Sequence, residues 1–186
     1  MSKLLAAMIA LALSGTQPTY RIDPASSNVV AKVGFMGVAS KTAGFPAMSG
    51  SIRIDPEDTA SIDLRVDLDA RELTAPDKTT LKRLKGEKFF WVERYPTVSF
   101  RGDTLLMETD RKGRVEGRMT ARGVTRPVML DVTFDRPLEQ IGGNRPIVIE
   151  AETTIDRRDF GMKSYSMVVG KSVDIRIRAR LVPQSG

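Results

Sequence analysis

After Thr16 the chain alternates apolar and polar residues with a period of two, the pattern of strands that set one face on a core and the other in water. The clearest run places Ile62, Leu64, Val66, Leu68 and Ala70 against Asp63, Arg65, Asp67, Asp69 and Arg71. Its outer face is fully charged, and ion pairs exposed to water perturb carboxylates little, which argues against acid–base catalysis there. Similar runs begin at Val29, Ile52, Val98, Val115, Val128, Ile147 and Val173, giving about eight strands in all. Turn signals separate them at Asp55-Pro56-Glu57-Asp58, Asp110-Arg111-Lys112-Gly113, Arg122-Gly123-Val124-Thr125 and Gly142-Gly143-Asn144, and connections this short predict antiparallel neighbours. One stretch departs from alternation. From Asp77 to Val92 the chain is rich in Lys and Leu, with Leu81 and Leu84 three apart and Thr74, Pro76 and Asp77 as start signals, so a helix is predicted between the third and fourth strands, weakened in its second half by Gly86.

Eight alternating strands form a sandwich or a barrel, and closure into a barrel removes the exposed edges of a long meander. The predicted fold is therefore all-β, a closed antiparallel β-barrel of about eight strands with a lipocalin-like architecture. Such a barrel is just wide enough for side chains or one slim ligand. The length of 186 residues and the 41% hydrophobic content suit one core. The apolar run Leu4–Leu13, after Lys3, is too short to span a bilayer but fits the core of a signal peptide. Cleavage after Ser14 or Gly15 is expected, which makes residues 1–15 a signal peptide, 16–186 one domain and the periplasm the destination.

Lys and Arg total 29 against 23 Asp and Glu, a net charge of +6, which favours anionic partners: phosphate-bearing lipids, membrane surfaces or nucleic acid. The chain contains no His and no Cys. That excludes disulfides, a lipidated Cys, Ser-His-Asp and Cys-His catalysis and soft-ligand metal clusters, so no metal, no cofactor and no enzymatic activity are expected. Two short matches to nucleotide-binding motifs fail on context. Asp159-Phe160-Gly161 lacks the other kinase signatures, and Gly170-Lys171-Ser172 has Tyr165 where a phosphate loop needs glycine.

Three stretches together are similar to the YceI family of periplasmic polyisoprenoid-binding proteins. They are Phe89-Phe90-Trp91-Val92-Glu93-Arg94-Tyr95-Pro96-Thr97-Val98-Ser99-Phe100, then Val115-Glu116-Gly117 through Gly123-Val124-Thr125-Arg126-Pro127-Val128, then Ile155-Asp156-Arg157-Arg158-Asp159-Phe160-Gly161-Met162 with Val169-Gly170-Lys171-Ser172-Val173. The resemblance covers roughly Thr19 to Leu181. It implies a lipocalin-like barrel holding a long-chain isoprenoid or fatty-acid-like lipid, and the homodimers often found among family members; the basic loop residues add an expectation of transient membrane-surface contact, and no nucleic acid partner is expected. This chain departs from the family at Ser26 and Phe35, where His is common, at Ala31, where Phe is common, and before Leu81, where an Arg-Asp pair is missing.

Ala31, Val33, Val66 and Met119 are predicted to face inward, where small or flexible side chains leave room for a chain-like ligand. Phe35, Phe45, Phe89, Phe90, Phe134 and Phe160 serve either as pocket wall or as ordinary core, and the pattern alone does not separate the two. Arg157, Arg158 and Lys163 stand in or beside a loop, as contacts for a lipid head group or as ordinary surface charge. The leading expectation is non-catalytic binding, transport or sequestration of a polyisoprenoid or similar amphiphile. The alternative is an exported adaptor that docks on an anionic membrane or a protein partner through its basic surface.

Overall fold

The computed structural model describes residues 19–54, 58, 61–141 and 144–184. The N-terminal segment read as an export signal, Asp55-Pro56-Glu57 and Gly142-Gly143 lie outside the described residues. In chain order the elements are β1 (Thr19–Ile22), β2 (Asn28–Phe35), β3 (Ala39–Gly44), β4 (Met48–Arg53), β5 (Asp63–Asp69), α1 (Lys78–Lys85), β6 (Thr97–Met107), β7 (Lys112–Ala121), β8 (Val124–Phe134), β9 (Ile147–Asp156) and β10 (Val169–Pro183).

Every strand pairing is antiparallel. The ring runs β1-β4-β5-β6-β7-β8-β9-β10 and closes where Ile22 of β1 pairs with Leu181 of β10. This is the closed barrel that the alternation predicts. With its 15 residues, β10 is long enough for two partners on one edge: its last residues pair with β1, and the rest with β2, where Val33 faces Val173. β2 and β3 thereby extend the wall at one end of the barrel.

Among the described residues there are ten strands rather than about eight, because β1 and β3 were not foreseen. β1 spans only four residues, too few to display a period, and β3 reads Ala-Ser-Lys-Thr-Ala-Gly, with no large apolar residue to mark an inner face. The predicted helix forms, but it stops at Lys85. Asp77 caps its start by accepting from the Thr80 amide at 2.8 Å, and Gly86 caps its end; the aromatic run that follows is wound into turns, with the Phe89 and Trp91 amides both donating to the Gly86 carbonyl. Leu81 and Leu84 pack toward the core while Lys82, Arg83 and Lys85 occupy the last turn, where they complement the helix dipole.

On the outer face the charges of β5 are paired, Asp67 with Arg101 at 2.8 Å and Asp63 with Arg65 at 2.8 Å. On the inner face Val66, Phe100 and Met119 stand in register across β5, β6 and β7. Gly117 admits the Phe100 ring to this layer: a Cβ there would lie 2.6 Å from Phe100 Cζ and 2.4 Å from the Arg101 carbonyl oxygen. At the end away from α1, Tyr20, Ile54, Leu138, Ile141 and Ile147 are buried together in the core.

Candidate functional site

Alternation gives each strand one apolar inner face, and closing the ring makes those faces surround a shared space. It is a cavity of about 210 Å³. Its wall includes Ala31 and Val33 of β2, Val66 of β5, Met119 of β7 and Phe134 of β8, together with Phe45, Phe89 and Phe90 from the connections. These eight positions were all singled out in the sequence. Ala31 stands between Ile175 of β10 and Ala43 of β3, both also on the wall, so its small side chain leaves open the space a larger residue would fill.

Two of the aromatic residues lie elsewhere. Phe35, the last residue of β2, is half-buried off the cavity wall with the Lys41 ammonium 5.5 Å from its ring centre. Phe160 is fully buried in the 3-10 turn after β9 but packs outside the cavity. Alternation could not place either, because one stands at a strand end and the other beyond it.

Residues of polar type border the wall mainly at the α1 end, Lys41 and Thr42 of β3, Thr80 of α1, Ser99 of β6 and Arg157, yet the lining surface itself is almost wholly apolar. Lys41 bonds Asp77 at 3.0 Å, tying β3 to the start of α1. The Thr80 amide, then Lys41, hold the Asp77 carboxyl well below the usual carboxylate range. Aromatic packing closes this end further. Phe45 meets Phe90 edge to face at 5.6 Å, and Phe89 stacks on Tyr165 at 5.9 Å.

Arg157 corrects the reading of a loop cation available to a head group. It is 3% exposed. Its guanidinium donates to the carbonyls of Met162, Ser164, Val169 and Gly170, so four of the five N–H groups fasten the segment after β9 to the start of β10. Burial lowers its pKa without neutralising it, and the cation also lies 6.0 Å from the Phe89 ring centre. Arg158 is exposed and bonded to Asp156 at 2.9 Å, an interaction that holds Asp156 at about 2. Lys163 is exposed on the segment that Arg157 fastens. The structure thus brings the eight apolar positions together and leaves the three cations with different surroundings.

Sequence reasoning did not single out Ala43, Thr42 and Lys41, because they belong to the unforeseen β3, nor Thr80, Leu84 and Met162, which face the cavity from outside the strands. For Leu84 a signal existed in its spacing from Leu81. Among the described residues no group of three or more Asp and Glu is placed to hold a metal ion.

The pattern of the YceI-like domain family matches residues 20–181, from β1 into β10. The chain belongs to that family. Among YceI-like relatives, a UPF0312 protein of Vibrio cholerae serotype O1 is 23% identical over 161 residues, covering 86% of this chain and 85% of that protein. The crystal structure of Burkholderia cenocepacia BcnA superposes with a TM-score of 0.76 at 20% identity, covering 86% of this chain and 98% of that one. A polyisoprenoid binding domain from Saccharophagus degradans, implicated in plant cell wall breakdown, superposes with a TM-score of 0.66 at 13% identity, covering 89% and 98% of the two chains. At these identities the likeness of the structures establishes a shared YceI-like fold.

Proposed function

We propose that this protein binds a long-chain isoprenoid or similar single-chain amphiphile without catalysis, and carries or sequesters it in the periplasm after export. The observation that carries this reading is the cavity enclosed by the inner faces of the barrel strands, whose lining surface is apolar throughout. An apolar tail stabilises such a complex by roughly 25 cal/mol for each Å² it buries. At about 210 Å³ the space is smaller than the ~300–1,000 Å³ of common ligand pockets, which favours a slim chain over fused rings. Met48, Met119 and Met162 on the wall supply flexible side chains that adapt to such a chain. At the α1 end Lys41 and Thr80 border the cavity, and both donate to the Asp77 carboxylate. Membership of the YceI-like family and the polyisoprenoid-binding function given for the Saccharophagus domain support the choice of ligand.

The test is mass spectrometry of an organic extract from protein purified from its natural host without detergent. A stoichiometric isoprenoid lipid is the expected result. An extract free of lipid, together with no uptake of polyprenol by the purified protein, would remove the basis for the proposal.

A further inference from the structure

The α1 end of the barrel carries a surface that binding inside the cavity does not account for. Eight large apolar residues are exposed among the described residues, and Met36, Val38, Tyr165, Met167 and Val168 are five of them. These five are neighbours: the Met36 amide donates to the Val168 carbonyl at 2.7 Å, and the Val168 amide to the Tyr165 carbonyl at 3.0 Å. Val38 is 96% exposed and Met167 fully exposed. Met36 stands at the tip of the β2–β3 hairpin with φ of 52°, a left-handed conformation ordinarily taken by Gly or Asn. A large apolar side chain is therefore held out in water at a turn position where a small polar one would be less strained.

Beside this tip lies a groove lined by Lys78, Lys82, Arg83 and Lys88, with Glu87 its one acid. Tyr165 joins the two regions: its ring lies 5.3 Å from the Lys88 ammonium and 5.7 Å from the Arg83 guanidinium. Phe89 belongs both to this groove and to the cavity wall, so the surface adjoins the α1 end of the cavity. Exposed apolar side chains flanked by Lys and Arg match the interface of an anionic bilayer, with an apolar layer below a layer of phosphates.

We propose that the protein docks end-on to an anionic lipid bilayer, with Met36, Val38 and Met167 entering the head-group layer and Lys82, Arg83 and Lys88 meeting lipid phosphates. The charged girth of the barrel, where Arg65, Arg101 and Asp67 face outward, is unsuited to lying within a bilayer, so contact is confined to this end. A second copy of the chain is a poorer occupant. A twofold interface would set this patch against itself and bring the basic grooves of both copies together.

The test is co-sedimentation of the exported protein, stripped of bound lipid, with vesicles of phosphatidylcholine alone and of phosphatidylcholine mixed with phosphatidylglycerol. The vesicles contain no isoprenoid, so docking and cargo binding succeed or fail independently. Binding to the mixed vesicles is expected, falling with added salt, and weak binding to phosphatidylcholine alone. Each basic residue near an anionic surface contributes roughly fivefold, so the pair Lys82→Glu and Arg83→Glu should lower partitioning by at least about tenfold. The pair Val38→Ser and Met167→Ser should lower it by about tenfold through loss of apolar insertion. All four side chains are exposed, and unchanged melting confirms the fold; Lys88→Glu with Lys163→Glu supplies a second charge pair should the first one melt early. Equal partitioning to both vesicle types, or no loss in the variants, overturns the proposal. So does concentration-dependent dimerisation abolished by Val38→Ser and Met167→Ser, which would make a second copy the occupant.

Discussion

Among single residues, Arg157 shows how much the surroundings of a side chain decide. Its buried guanidinium holds two carbonyls of the connection after β9 and two of β10, and Arg157→Leu leaves those acceptors without their donor. We expect a loss of about 3 kcal/mol, a fall in melting midpoint of about 6–12 °C, readable by thermal unfolding. Arg158→Ala is the matched control, and because its exposed pair with Asp156 contributes little, the midpoint should hardly move. Equal effects of the two substitutions would contradict the clamp. Ala31 tests the cavity instead. Ala31→Phe places a ring between Ile175 and Ala43, and should shorten the longest polyprenol accepted in a binding series over chain length. Overpacking of this kind costs about 1–3 kcal/mol, which the barrel should survive. An unchanged length preference in a folded variant would place the lipid tail away from β2. The inward direction of Ala31 was legible from its place between Val29 and Val33, whereas the burial of Arg157 was not, since a loop arginine reads the same solvated or bonded to carbonyls.

The element that borders one end of the cavity is α1, through Thr80 and Leu84. Asp77 both caps the helix and holds Lys41 of β3, the last strand of the sheet, whose outer edge is bridged from Gly44 to Thr74 in the connection before α1. The folded pKa of Asp77 is depressed, so its contribution is complete above the unfolded value of about 3.9 and is lost as pH falls through the folded value. Comparing Asp77→Ala with the parent by thermal unfolding, we expect the midpoint gap to be widest near pH 7 and to close as the pH is taken below about 4. A gap independent of pH would show that the carboxylate charge is not responsible. Asp77 was readable among the start signals because a cap is a local interaction, whereas Gly86 was read only as weakening a helix carried on to Val92. β3 was not, because its six residues become a strand only by pairing with β2, a contact that no local pattern announces.

For the whole molecule, a ligand confined to the native barrel must stabilise it by mass action. Free polyprenol at a hundred times its dissociation constant should add about 2.7 kcal/mol, a rise in melting midpoint of about 5–11 °C over lipid-free protein. Scanning calorimetry before and after reloading measures it, and an unmoved midpoint at saturating polyprenol would count against binding inside the barrel. The sequence by itself determined which side chains of each long strand share a face, as with Val66 inside and Asp67 outside, and where the helix begins. It also excluded chemistry that requires His or Cys. These properties are local, since side-chain direction follows from the pleat and capping from the nearest turn. The tertiary structure decided that β10 serves both β1 and β2, that Phe35 and Phe160 stand off the cavity wall, and that the exposed turn at Met36 is joined to Val168. Those outcomes depend on ring closure and on how the connections pack across the open end, contacts between residues far apart in the chain that alternation along one strand does not encode.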